Sequence, residues 1–337
     1  MTFIAGSAFL SVSIALNAIS LHATCTQVFV VVGLIICYGL ASIQTLDRVS
    51  YIGWIGLTSI IVAVLTLTIS VGVEDRPAAA NQTGPWEKDL ILFGNPTFAE
   101  AADALGTLIF AFGATPAFFN VIAEMKDPRD FTKAACMAQA LITMVYVTLS
   151  IVVYYYCGQY VASPALGSAG VLMKRICYGV AIPGLLVSGL LFTHLPAKYV
   201  FVRLLRGSQH LSRNTVTHWV VWLGSVAGCA LFSYIIASAI PFFGNLISLV
   251  GALFGTPLVI CLESGMWIYY SWDQWKYADR RGKWFYTGLA INSFLILVGI
   301  FITVGGTYGS VIAIKASFED GSLSSVWSCS DNSGTVA

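Results

Sequence analysis

The sequence predicts an all-α, polytopic membrane protein, and three observations carry that prediction. Of 337 residues, 57% are hydrophobic and only 10% charged, with a mean hydropathy of +0.81. A soluble domain holds about 25% charged residues. Residues Met1 to Leu46 contain no Asp, Glu, Lys or Arg, and neither do the 49 residues from Asn214 to Leu262. Each run exceeds the roughly 20 helical residues that cross a bilayer core and suffices for a second pass. The lipid bilayer is the expected partner. A net charge of +1 supplies no basic surface for a nucleic acid.

In chain order, the first run divides at the polar stretch Leu21-His22-Ala23-Thr24-Cys25-Thr26-Gln27 into spans over 1–20 and 28–46. It lacks the basic n-region and cleavage site of a signal peptide. Ser13, Asn17 and Ser20 stand at i, i+4 and i+7, a polar stripe suited to a bundle-facing side. Asp47-Arg48 closes the second span, and residues 51–73 form the third. The polar loop 74–99 carries Pro77, Pro85, Pro96 and the sequon Asn81-Gln82-Thr83. Asn81 is a glycosylation candidate if that loop is lumenal or extracellular. The fourth span, 101–123, is interrupted. The fifth, 135–157, ends on the interfacial cluster Tyr154-Tyr155-Tyr156. The sixth, 172–203, contains Pro183 and Pro196. The second uncharged run turns at Ile240-Pro241-Phe242-Phe243-Gly244-Asn245, giving spans over 216–238 and 243–270. Gly224 and Gly228 in one, Gly251 and Gly255 in the other, are GxxxG pairs that permit close helix contact. A ninth span covers 284–313, and the Ser-rich tail 316–337 is expected to be disordered.

Lys and Arg distribute unevenly between alternate loops, eleven on one side and five on the other. The positive-inside rule assigns the eleven to the cytosol, which places Met1 inside and both the sequon loop and the C-terminus outside. Cys25, Cys157 and Cys329 fall near outer segments, where a disulfide among them is admissible. No CxxC or metal-ligand spacing occurs among the eight cysteines, so no metal or cofactor is expected. No nucleophile–base pair emerges, which argues against an enzyme. No charged ring or filter repeat emerges either, which argues against a channel.

The interrupted span carries the chemistry. Ala104 to Ala123 is uncharged, yet Phe112-Gly113-Ala114-Thr115-Pro116 is poor material for a continuous helix. Gly costs about 1 kcal/mol in a helix interior and Pro lacks the N–H a helix needs. Thr115 and Pro116 read as an N-cap and first-turn pair that starts a new helix. Backbone groups bared at such a break must face protein, water or a ligand. From these residues alone, a kinked helix and a binding site both remain open. On the sixth span Thr193, His194 and Lys198 place ionisable groups within the membrane, where the default reading is functional. Lys198 also lies five residues from Arg203, within reach of snorkelling to the cytosol.

The segment from Phe110 to Ala134, FAFGATPAFFNVIAEMKDPRDFTKA, resembles the amino acid/auxin permease family. It is most similar to the fungal neutral amino acid permeases of the methyltryptophan-resistance type. The resemblance extends to Ser13–Ser20 and to the Phe-Phe-Gly-Asn and Leu-Val-Gly-Ala-Leu-Phe-Gly runs within 242–255. It implies an inverted five-plus-five fold (LeuT-like, of the APC superfamily) with eleven helices, of which helices 1 and 6 unwind at the midplane. The nine spans would then be helices 3–11, with helices 1 and 2 before Met1. The implied function is proton- or sodium-coupled uptake of neutral amino acids at the plasma membrane, or alternatively the vacuolar membrane. Substrate contacts are expected at Phe110, Ala111, Phe112, Gly113, Ala114, Thr115 and Pro116, with Ser13 and Asn17, and ion coupling at Thr193, His194 and Lys198. A non-transporting product, or a sensor or regulatory partner of a full-length permease, is the alternative.

Overall fold

A computed structural model describes residues 1–44, 46–77, 79–80, 82–83, 85–113, 115–276, 282–319 and 326–334. Asn81 lies outside these residues. Among them there is no strand. The helices are α1 (Thr2–Ser20), α2 (Thr26–Ala41), α3 (Leu46–Val73), α4 (Phe98–Phe112), α5 (Thr115–Glu124) and α6 (Phe131–Cys157). They continue as α7 (Val171–Leu204), α8 (Val216–Ala239), α9 (Phe243–Val250), α10 (Leu262–Lys276) and α11 (Lys283–Glu319). Between α9 and α10 the backbone runs on as two π-helical turns, Gly251–Gly255 and Pro257–Cys261. Eight stretches among the described residues are long and apolar enough to cross a membrane, and α2, with 16 residues, is a shorter apolar helix. The expected second span was drawn too far on: α2 stops at Ala41, and Asp47-Arg48 sit in the first turn of α3 instead of closing α2.

The helices cluster in two compact units, one formed by Met1–Gly94, Arg129–Phe243 and Leu323–Ala337, the other by Asn95–Pro128 and Gly244–Ser322. In the first, α7 packs against α1, α2, α3 and α8, and α1 is buried between α2, α7 and α8. Its small residues allow this. A methyl group at Gly6 would meet the Ser233 carbonyl at 3.0 Å, and one at Gly33 of α2 would meet Val12 at 3.4 Å. Burying α1 also buries its hydroxyls, which bond to the turn before them. Ser7 donates to the Ile4 carbonyl, Ser11 to that of Ser7 and Ser13 to that of Leu10, each at 2.8 Å. By contrast α3 and α6 bury little and display Leu65, Ile69, Met137 and Ile151 outward. Such surfaces suit lipid as their solvent.

α7 stays continuous through Pro183 and Pro196, and at Pro183 its neighbour α3 shows how. The Ser59 hydroxyl donates to the Val180 carbonyl at 2.6 Å and accepts from the Gly184 N–H at 3.1 Å. It is inserted into the ladder beside Pro183, where the helix has opened, and bridges both ends of the gap. Residues at 316–337 were expected to be disordered. Instead α11 continues to Glu319, and residues 326–334 pack onto the first unit through a Cys25–Cys329 disulfide.

Candidate functional site

In the second unit the break falls where Gly113 predicts it. α4 opens with a capping box in which the Thr97 N–H donates to Glu100 Oε2 at 2.8 Å and the Glu100 N–H donates to Thr97 Oγ1. It ends at Phe112, and Gly113 (φ −78°, ψ 35°) turns its N–H back to the Phe110 carbonyl at 3.1 Å. α5 then begins at Thr115. Two details differ from the sequence expectation. Thr115 is the first helical residue, one place later than an N-cap, and Ala114 lies outside the described residues. The Phe110 carbonyl, expected to face a ligand, already accepts one hydrogen bond because the last turn tightens to close the helix. The C-terminal end of α4 still concentrates negative partial charge at Phe110–Phe112.

A second irregularity packs alongside. A Cβ on Gly106 would stand 2.5 Å from the Ser248 carbonyl, and one on Gly251 would run into the Gly106 carbonyl. Two backbones are therefore in direct contact, which only the paired glycines permit. From this contact the chain enters its π turns. The Thr256 N–H bonds to the Gly251 carbonyl five residues back, and the buried Thr256 hydroxyl donates to the same oxygen at 3.0 Å. Pro257, lacking an N–H, accounts for the change of register. Ile109, one turn before the break, lies beside Gly255. A broken helix and a π-helical segment thus share one interface, and π turns occur often at functional sites. Sequence reasoning passed over Pro257, although a proline inside an apolar run is the signal that finds it.

In the first unit, Ser13 and Asn17 lie fully buried on α1. The Asn17 amide donates to Thr26 Oγ1 at 2.8 Å and to Asn332 Oδ1 at 2.7 Å, while its carbonyl oxygen faces His22 Nδ1 at 3.0 Å. Leu21 and His22 both adopt left-handed φ, of 54° and 56°, which turns the chain sharply back over the end of α1. The Asn332 amide in turn donates to Ser13 Oγ at 2.9 Å. Asn332 has no counterpart in the sequence reading, since no periodicity couples positions more than 300 residues apart.

On α7, Thr193 and His194 are fully buried and Lys198 is half-buried. His194 Nδ1 contacts the Ala41 carbonyl at 3.0 Å, and its ring stands edge-on to Trp222 at 5.3 Å. Trp222 itself donates to the Ser42 carbonyl at 2.8 Å. Together these side chains hold the C-terminal end of α2 against α7 and α8. The Thr193 hydroxyl is enclosed and has no hydrogen-bond partner. A buried hydroxyl in that state costs on the order of 1–3 kcal/mol, which marks Thr193, like the enclosed Tyr178 hydroxyl of the same helix, as a polar group that packing leaves unmet.

The family profile described as Transmembrane amino acid transporter protein matches residues 2–312. The chain belongs to the transmembrane amino acid transporter family. A transmembrane transporter of Gibberella moniliformis is 35% identical over 96% of this chain and 68% of its own length. The N amino acid transport system protein of Neurospora crassa is 29% identical over 98% of the chain and 69% of its own length. An amino acid transporter of Arabidopsis thaliana is 26% identical over 65% of the chain and 46% of its own length. No solved structure matches. The chain is thus an integral membrane member of a transporter family. It is not an enzyme of any family these relatives represent.

Proposed function

We propose that this chain carries neutral aliphatic and aromatic amino acids across a membrane by proton-coupled secondary transport. The observation that carries this proposal is the shared interface of the α4–α5 break and the π turns at Gly106 and Gly251. Irregular backbone at membrane depth is tolerated where it lines a cavity or binds a ligand. The negative end of α4 at Phe110, Ala111 and Phe112 attracts the substrate ammonium, and the N–H groups beyond Thr115 at the start of α5, Pro116 having none, offer the opposite polarity to the carboxylate. Phe112 bounds the apolar part of the pocket. Thr193 is the coupling residue, with His194 beside it and Lys198 four residues beyond His194 on the same face of α7. The nine spans correspond to helices 3–11 of a LeuT-like inverted repeat.

The plasma membrane is the proposed location, with Met1 cytosolic and the loop holding Asn81 outside. The Cys25–Cys329 disulfide supports that sidedness, because disulfides persist in oxidising compartments. Uptake of labelled leucine and phenylalanine into proteoliposomes, with and without a protonophore, tests the coupling. Uptake that ignores the protonophore would reject it. Phe112→Ala should shift the preference from phenylalanine towards leucine, and an unchanged ratio of kcat/KM for the two would reject the site.

A further inference from the structure

The tail segment Val326–Gly334 is bonded to the outer ends of four helices of the first unit. Its Asn332 amide spans Ser13 and Asn17 of α1. The Ser330 carbonyl accepts from Thr26 Oγ1 at 2.6 Å and the Ser328 carbonyl from Gln27 Nε2 at 3.5 Å, both on α2. On α7, Lys174 Nζ donates to the Ser333 carbonyl at 2.7 Å and to that of Gly334 at 3.3 Å. Towards α8, the Trp327 N–H reaches the Ser238 carbonyl at 3.3 Å and its ring stands edge-on to Tyr234. The Cys25–Cys329 bond closes the set.

These contacts have an unusual polarity. Lys174 is 6% exposed and Asn17 is 0% exposed, and buried donors of this kind need acceptors. Every acceptor just named for Lys174 is a tail carbonyl. The tail therefore presents amide and carbonyl oxygens to Asn17, Thr26, Gln27 and Lys174, as a bound peptide would. Its own outer edge, at Val326, Trp327, Cys329 and Gly334, is exposed.

We infer that residues 326–334 form a tethered plug over the polar stripe of α1, and that the Cys25–Cys329 bond is the latch that holds it shut. A dithiol reductant on the outer side opens the latch by thiol–disulfide exchange. One thiolate of the reductant attacks a cysteine sulfur and breaks the S–S bond. The second thiol then resolves the mixed disulfide. Two electrons and two protons pass to Cys25 and Cys329, which become thiols, and the reductant leaves as a disulfide. Without the covalent tether the local concentration of the segment falls, and Asn17, Thr26 and Lys174 turn from tail oxygens to water. They then face the carboxylate of an arriving amino acid, a consequence that rests on the transport function proposed above.

The test separates the plug from transport. Ser13→Cys is prepared with Cys25 and Cys329 intact, and again with both replaced by Ser. Each is treated in proteoliposomes with a water-soluble maleimide, and modification at position 13 is read by mass spectrometry. Labelling about tenfold faster without the disulfide is expected, because cutting a tether shifts the local opening equilibrium by such amounts. Equal rates would overturn the plug. Should the substituted proteins not fold, hydrogen exchange of residues 10–27 in the wild type supplies the same readout. Faster exchange after dithiothreitol supports the plug, and unchanged exchange overturns it. Uptake by the wild type, measured in parallel, should rise several-fold on reduction. A labelling difference with unchanged uptake overturns the latch as a gate. Absence of uptake in both forms overturns the transport function, while labelling still decides the plug.

Discussion

The polar stripe of α1 and the broken helix α4–α5 present polarity in opposite ways. α1 is regular, with a saturated backbone, and all its polarity lies in side chains: Ser13, Asn17 and the partners that Asn332 and Thr26 supply. At the α4 break the backbone itself supplies polarity, at Gly113 and along the π turns from Gly251 to Cys261. A side-chain network is rebuilt whenever a partner of similar chemistry arrives. A backbone break is built into the fold and stays available. The first arrangement suits something that is covered and uncovered, the second a permanent site.

That contrast is testable, and the largest effect is expected at the glycine contact beneath the break. Gly251→Leu forces a side chain into the Gly106 carbonyl. It should destabilise the second unit by about 3 kcal/mol or more and abolish uptake, read as a lowered Tm in detergent and lost transport. Retained stability would show that the two backbones can part. Next is Thr193→Val, which removes the enclosed, unpartnered hydroxyl. Stability should hold or rise by about 1 kcal/mol, since an unmet polar group is deleted, while uptake at fixed substrate should drop and lose its protonophore sensitivity. Unaltered coupling would leave Thr193 as a packing residue.

A smaller loss is expected from His194→Leu. It gives up the contact with the Ala41 carbonyl and the edge-on Trp222 ring, about 1–2 kcal/mol in thermal or denaturant stability. Protonophore sensitivity should be unaffected, and its disappearance would return His194 to the coupling pathway. The smallest change is expected for Thr97→Ala, which removes half of the capping box. It should cost about 1 kcal/mol at most and leave substrate preference alone. A change in leucine-to-phenylalanine preference would mean that the entry to α4 also shapes the pocket.

Much of the architecture was legible in the sequence, because apolar runs of bilayer length and the absence of charge are local properties. The break at Gly113 was legible for the same reason: a Gly and a Pro three residues apart cannot continue a helix cheaply. Boundaries were less so. Asp47-Arg48 read as a stop, yet the helix they belong to starts before them. Pro183 of α7 read as an interruption, and Ser59 from a neighbouring helix bridges the gap it leaves. His194 read as an intramembrane ionisable group, and only the fold supplies its neighbours, the ring of Trp222 and the Ala41 carbonyl.

By itself, then, the sequence determined a helical membrane protein with a break in its fourth span, since hydropathy, helix propensity and the needs of the backbone act within a few turns of chain. Tertiary structure decided which polar groups find partners. Asn17 meets Asn332, Lys174 meets the Ser333 and Gly334 carbonyls, and Gly106 meets Gly251. Each of these pairs spans a sequence separation that no local energy term bridges, and each is set by distant segments packing closely together.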